Sequence, residues 1–232
     1  MSVRAIQAGS VVEYFKQAME IIKPNWLMLA VAVLVIAVIS SVLTRISPLL
    51  GGIIAPLVNI PLSAGLYLLI RDSANRRPFD FAKLFSVFSN TPMLINLLII
   101  AAPQAVLGLL QYLILQAGLW PALGLLFLVA IGYAILATFA VQRVIFGGLD
   151  GVSALKESAQ GVLANIVPCI VFSVLALVTM FIGVLALLIG IFFAIPLIFA
   201  TVMRMHDDIY GFVPAAQMPM APPPPPPGAP GW

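Results

Sequence analysis

The sequence predicts an all-α fold: a polytopic integral membrane bundle of six transmembrane helices with cytoplasmic interfacial helices. Three observations carry the prediction. Of 232 residues, 62% are hydrophobic and 8% charged, where an ordinary soluble domain carries about 25% charged residues. The mean hydropathy is +1.16, and 11 Lys+Arg with 8 Asp+Glu could not cover the surface of a soluble domain of this size. Finally, the apolar residues gather into runs of spanning length, about 20 residues each.

The first element is an amphipathic helix within residues 1–25. Ser10 with Glu13 reads as a capping box, and Val11, Phe15, Met19 and Ile22 recur at helical spacing. Trp26 to Leu43 is the first span. Leu49 to Ile70 is the second, and Pro56 and Pro61 within it predict a kink, because each proline frees a backbone carbonyl. An interfacial helix follows, with Asp80 as its cap and Phe81, Leu84, Phe85 and Phe88 on one face. Pro92 to Leu115 and Pro121 to Val141 are the third and fourth spans.

A third amphipathic helix opens at Asp150 or Ser153 and places Val152, Leu155, Ala159 and Val162 on one face. The charge-free run from Ile166 to Met203 is 38 residues long. As one helix it would measure roughly 57 Å against a hydrocarbon core of roughly 30 Å. It therefore folds back, with a turn between Gly183 and Gly190, the helix-weakening residues of that run. This divides the chain into 1–25, a cytoplasmic amphipathic helix; 26–211, the six-helix transmembrane domain; and 212–232, a proline-rich cytoplasmic tail predicted to be disordered.

Assigning charges to alternate sides puts Arg4, Lys16, Lys23, Arg71, Arg76, Arg77, Lys83, Arg143, Lys156 and Arg204 on one face and leaves Arg45 alone on the other. The positive-inside rule makes the richer face, and both termini, cytoplasmic. Positively charged surplus here records topology, so no nucleic-acid partner is expected. No cleaved signal peptide is expected either, since the first apolar run begins only at Trp26 and no clean small-residue site follows it. Helix starts at 10, 80 and 150 also suggest a unit of one amphipathic helix plus two spans, repeated with a period of about 70 residues. An ancestral repeat and a coincidence of topology account for this equally.

Chemistry-bearing motifs are sparse. The chain has no P-loop, dinucleotide fingerprint, HExxH or GxSxG motif, so no enzymatic activity and no cofactor are expected. Cys169 is the single cysteine, which excludes a disulfide framework and a cysteine-rich metal site. His206-Asp207-Asp208 reads as a solvated helix end. No ionisable residue lies inside a predicted span. Asn59, Asn96, Gln104 and Gln111 are the polar groups there that could line a path or bond between helices. Ala130, Ala134 and Thr138 form a small-residue stripe suited to helix contact.

Arg71, Arg76 and Arg77 beside the aromatic face of Phe79 to Phe88 are candidate lipid headgroup contacts on the phospholipid bilayer. The tail holds nine prolines and no charge, a composition that does not build a core. Its run Pro222, Pro223, Pro224, Pro225, Pro226 and Pro227, with the terminal Trp232, is a candidate docking element for a cytoplasmic proline-recognising protein, against the plainer reading of a passive spacer.

Ile60-Pro61-Leu62-Ser63-Ala64-Gly65-Leu66-Tyr67, the Leu84-Phe85-x-x-Phe88 segment, Ala154-Leu155-Lys156-x-Ser158 and the ending Asp208-Ile209-Tyr210-Gly211 carry a resemblance over about residues 10–211. The chain resembles uncharacterised six-span bacterial inner-membrane proteins: YciC-like proteins, and the membrane domain fused to some glycerophosphodiester phosphodiesterases. The resemblance implies a bacterial inner-membrane location. These families have no agreed activity or catalytic residues to carry over. The leading functional expectation is a non-catalytic organiser of partners or lipid; the alternative is a small transporter or channel for an uncharged or lipidic substrate.

Overall fold

A computed structural model describes residues 3–186 and 189–212. Among them the chain is all-α, with no strand. In order, the helices are α1 (Ser10–Ile22), α2 (Trp26–Ile46), α3 (Pro48–Ala74), α4 (Thr91–Gln116), α5 (Trp120–Leu136), α6 (Ala140–Ile145), α7 (Gly151–Ala164), α8 (Ile166–Leu185) and α9 (Ile191–Tyr210). Five stretches are long and apolar enough to cross a membrane: Ser10–Ile46, Leu49–Ala74, Thr91–Gln116, Trp120–Ile145 and Ile166–Leu185. These make it a multi-pass membrane protein by length and composition. The sixth predicted span, α9, falls outside that set because Arg204, Asp207 and Asp208 crowd its last turns.

The long apolar run does fold back. α8 ends at Leu185 and α9 begins at Ile191, and at the turn the two helices touch backbone to backbone: a Cβ built on Gly183 would lie 3.0 Å from the Gly190 carbonyl carbon. Pro56 and Pro61 both lie inside α3, which continues through them. α3 is the central helix. Half of its apolar stretch is buried, against 17–22% in the other four. By contrast α5 has no buried residue, and Leu125 and Leu128 stand outward on it. Such apolar exposure suits a helix facing hydrocarbon.

The helix signals of the sequence meet three different outcomes. Asp150 caps α7 as expected, its carboxylate accepting from Val152 N at 3.1 Å and Ser153 N at 3.0 Å. A hydrogen bond from the Ser153 side chain, together with these backbone bonds, holds its carboxyl below the usual value. The Ser10–Glu13 capping box does not form: Gly9 is the N-cap, with no side-chain bond. The predicted interfacial helix over 81–88 is instead two short 3-10 turns, Phe81–Leu84 and Ser86–Ser89. Asp80 caps the first through Ala82 N at 3.0 Å, and the second breaks at Asn90 before Pro92. Leu84 and Val87 are buried by these turns, while Phe85 and Phe88 stay exposed. α1 and α7 each pack one face against the bundle. α1 buries Val11, Tyr14, Ala18 and Ile22, and α7 buries Gly151, Ala154, Ser158, Gly161 and Val162. That face of α7 is rotated from the predicted one toward its small residues, which let the neighbours come close.

One end of the bundle gathers the charges and the polar ties. Arg4 N donates to Ile209 O at 2.8 Å, so the start of the described chain and the end of α9 lie together. Asn165 joins them, accepting from Ile6 N at 2.7 Å and donating to Arg4 O at 3.1 Å. Ser73 donates to Ile21 O at 2.6 Å and accepts from Asn25 Nδ2 at 3.1 Å, tying the end of α3 to the α1–α2 junction.

Candidate functional site

A cavity of about 580 Å³ opens between α3, α4 and α5, away from the charged end. It is a cleft because α3 and α4 cross at glycines while α5 stands apart. A Cβ on Gly108 would lie 2.1 Å from Gly52 O, so any side chain there would force the helices apart. Beyond that crossing, α5 supplies the third wall through Leu123, Leu126, Phe127 and Ala130.

Asn59, Gln104 and Gln111 all line this cleft. Three of the four polar residues singled out in the predicted spans are therefore brought together. At 1.5 Å per residue, Asn59 and Gln104 lie about 16–18 Å from the nearer ends of their helices, close to the mid-depth of a hydrocarbon core about 30 Å thick. Ser40 Oγ lies 2.7 Å from Asn59 Oδ1. Among the described residues, neither the Asn59 amino group nor the Gln104 and Gln111 amides engage a protein partner. Pro56 adds one more polar atom: it has no N–H to offer Gly52 O, four residues earlier on the cleft wall. In hydrocarbon an unpaired amide costs several kcal/mol, about as much as a lost buried hydrogen bond or more. The cleft therefore favours an occupant that hydrogen-bonds at its head and is apolar elsewhere. No lining side chain titrates.

The fourth polar residue does something else. Asn96 Oδ1 accepts from Gly151 N at 3.0 Å, joining α4 to the start of α7. In the small-residue stripe, Ala130 lines the cleft, Ala134 is exposed, and Thr138 bonds back to Ile135 O at 2.6 Å. The stripe meets no single partner helix.

At the charged end, one expectation is corrected. His206-Asp207-Asp208 is not a solvated helix end, since His206 and Asp207 are buried and only Asp208 is exposed. Other ionisable groups at this end are buried as well. Arg71 grips Asp207 with both terminal nitrogens, at 2.7 and 2.6 Å, beneath the rings of Phe146 at 4.3 Å and Phe212 at 5.6 Å. Arg143 is fully buried, pairs with Glu157 and lies 4.5 Å over the Tyr210 ring. Tyr14 binds Asp208, and Asp72 receives Lys83 and, at 3.7 Å, Arg77. The network clamps α3 to α9 and α6 to α7, and so fixes the helix that carries one wall of the cleft.

Of the three candidate headgroup arginines, Arg71 is turned inward with its side chain 11% exposed, while Arg76 and Arg77 remain at the surface. Ser153 is not a cap; Asp150 is. Cys169 is a buried free thiol on α8. Pro222, Pro223, Pro224, Pro225, Pro226, Pro227 and Trp232 lie outside the described residues. The sequence does not single out Gly52, Gly108 or the burial of Arg143 and Asp207. Glycines inside otherwise apolar spans were the available signal for the first two; nothing local marks the others, whose partners lie on distant helices. No family model matches the chain, and no curated protein or solved structure matches it either.

Proposed function

We propose that the protein is a non-catalytic multi-pass protein of the bacterial inner membrane that receives a lipid from the bilayer in the α3–α4–α5 cleft and holds it there, organising lipid around it. The observation that carries this reading is the set of three amides, Asn59, Gln104 and Gln111, on one cleft, the first two near mid-depth. A lining of amides and alkyl groups can bind and orient but offers no acid, base or nucleophile for bond cleavage. The basic bias of the charged end supports cytoplasmic termini, and the Arg4–Ile209 bond, which joins the two ends of the described chain, supports α9 as a sixth crossing. The resemblance supports the inner-membrane location. The composition of residues 212–232 supports a proline-recognising cytoplasmic partner as a further arm of the same organising role.

The test is lipid extraction from the purified full chain. Wild type is expected to retain a lipid through detergent exchange, and a variant with Asn59, Gln104 and Gln111 all replaced by Leu is expected to lose it while melting normally. Equal retention by the two proteins would overturn the reading. A carrier is the second reading, favoured by prolines inside α3 and α4 beside a loosely held α5; protein-dependent lipid flip between the leaflets of reconstituted vesicles would establish it over a static holder.

A further inference from the structure

Resting on that reading, we infer the class of ligand: a neutral glycerolipid with one free hydroxyl, of the diacylglycerol class, whose hydroxyl donates to Gly52 O and whose ester carbonyls accept from the amides of Asn59 and Gln104. Each part of the assignment answers a feature of the cleft.

Charge comes first. The lining holds no cation to meet a phosphate and no anion to meet an amine. Moving an ionised headgroup to this depth without a counter-charge is prohibitively costly, so the phospholipids of the surrounding leaflet are excluded as occupants by their headgroups. A fully apolar lipid is disfavoured in turn, because it would leave the Asn59 and Gln104 amides without a ligand partner near mid-depth.

Polarity comes next. Ser40 Oγ lies 2.7 Å from the Asn59 amide and 2.8 Å from Ile36 O, so it engages one end of that amide and leaves the other for the cleft. Gln104 adds a full amide, donor and acceptor, so the ligand must present acceptors, as ester carbonyls do, and can present a donor as well. Gly52 O needs a donor: the residue four positions on is Pro56, which has no N–H, and the crossing partner Gly108 offers only its Cα–H at this point. One free hydroxyl beside two carbonyls satisfies both demands. Size agrees as well, because 580 Å³ is within the range of ligand cavities, roughly 300–1,000 Å³. A glyceride head with the first part of its chains fills such a space, and the remaining chain runs out past α5 into the bilayer.

The experiment uses the full chain in phosphatidylcholine nanodiscs with a diacylglycerol carrying a photoreactive group on one acyl chain. Labelling is expected to be saturable and to fall on residues 51–59, 104–111 and 123–130. Unlabelled dioleoylglycerol is expected to compete about five- to tenfold better than the same lipid with its hydroxyl acetylated, the span of one neutral hydrogen bond. Pro56→Ala gives Gly52 O an intrahelical partner, and it is expected to erase that preference while keeping the labelled sites. Competition by the acetylated lipid equal to that of dioleoylglycerol, stronger competition by phosphatidic acid, or an undiminished hydroxyl preference in Pro56→Ala would each overturn this assignment and leave a lipid-holding cleft standing. Unsaturable labelling scattered over all lipid-facing helices would overturn the cleft reading itself.

Discussion

Replacing Asp207 with Asn tests whether the buried pair at the charged end holds the bundle together. The substitution preserves shape and removes only the charge. Arg71 and Asp207 side chains are 11% and 5% exposed, and their contact is a two-pronged one at 2.6 and 2.7 Å. Breaking such a pair leaves a guanidinium buried without its counter-charge, which typically costs about 3–5 kcal/mol. The Phe146 ring 4.3 Å from that guanidinium stays in place in the variant, so its cation–π contact leaves the difference unchanged. A loss of about 3–5 kcal/mol should lower Tm by roughly 6–20 °C, at about 2–4 °C per kcal/mol for a chain of this size. The assay is thermal melting of the purified protein in detergent, with Arg71→Met/Asp207→Leu as the control. Because well-packed apolar replacements for a buried ion pair are often neutral, the double variant should recover most of the loss. A Tm within about 2 °C of wild type for Asp207→Asn, or a double variant as weak as the single one, would refute the reasoning.

Other perturbations probe separate parts of the fold. Ser158 is buried, accepts from Phe139 N at 3.0 Å and donates to Leu136 O at 2.7 Å, so Ser158→Ala orphans two backbone groups where α5 gives way to α6; a loss of about 2–3 kcal/mol on melting is expected, and none at all would show the break is held by other contacts. Gly108→Ala puts a methyl 2.1 Å from Gly52 O, which should part α3 and α4 at a cost of about 1–3 kcal/mol; a wild-type melting curve would contradict the crossing. For topology, cysteines at Gln7 and Ala117 in a Cys169→Ala background should label differently in intact cells, Ala117→Cys from outside and Gln7→Cys only after permeabilisation. The reverse pattern would invert the orientation.

How legible this protein is from sequence depends on how local the deciding interactions are. Span positions follow from run length alone, so α2, α4 and the α8–α9 hairpin lie close to where composition puts them. Caps are nearly as local: Asp150 and Asp80 serve where expected. Segment 81–88 is misread because helical spacing of Phe81, Leu84, Phe85 and Phe88 also fits two 3-10 turns. There a single short stretch must both cover α3 with Leu84 and turn into α4 at Asn90. Asn59, Gln104 and Gln111 were visible as polar groups in apolar runs, and their meeting on one cleft follows from the pairing of α3 with α4. Arg71, Arg143, His206 and Asp207 were misjudged for the opposite reason. Each looks like an ordinary helix-end charge until α3, α6, α7 and α9 are placed side by side, and the burial of one is decided by the position of another far away in sequence.

The central claim, that one lipid occupies the α3–α4–α5 cleft, is tested most directly by electron spin resonance of a chain-labelled diacylglycerol titrated into vesicles of the reconstituted full chain. A motionally restricted component that saturates near one lipid per chain, and that disappears when Asn59, Gln104 and Gln111 are replaced by Leu, is the predicted result. A restricted component that grows without saturation, or that survives unchanged in the triple variant, would contradict it.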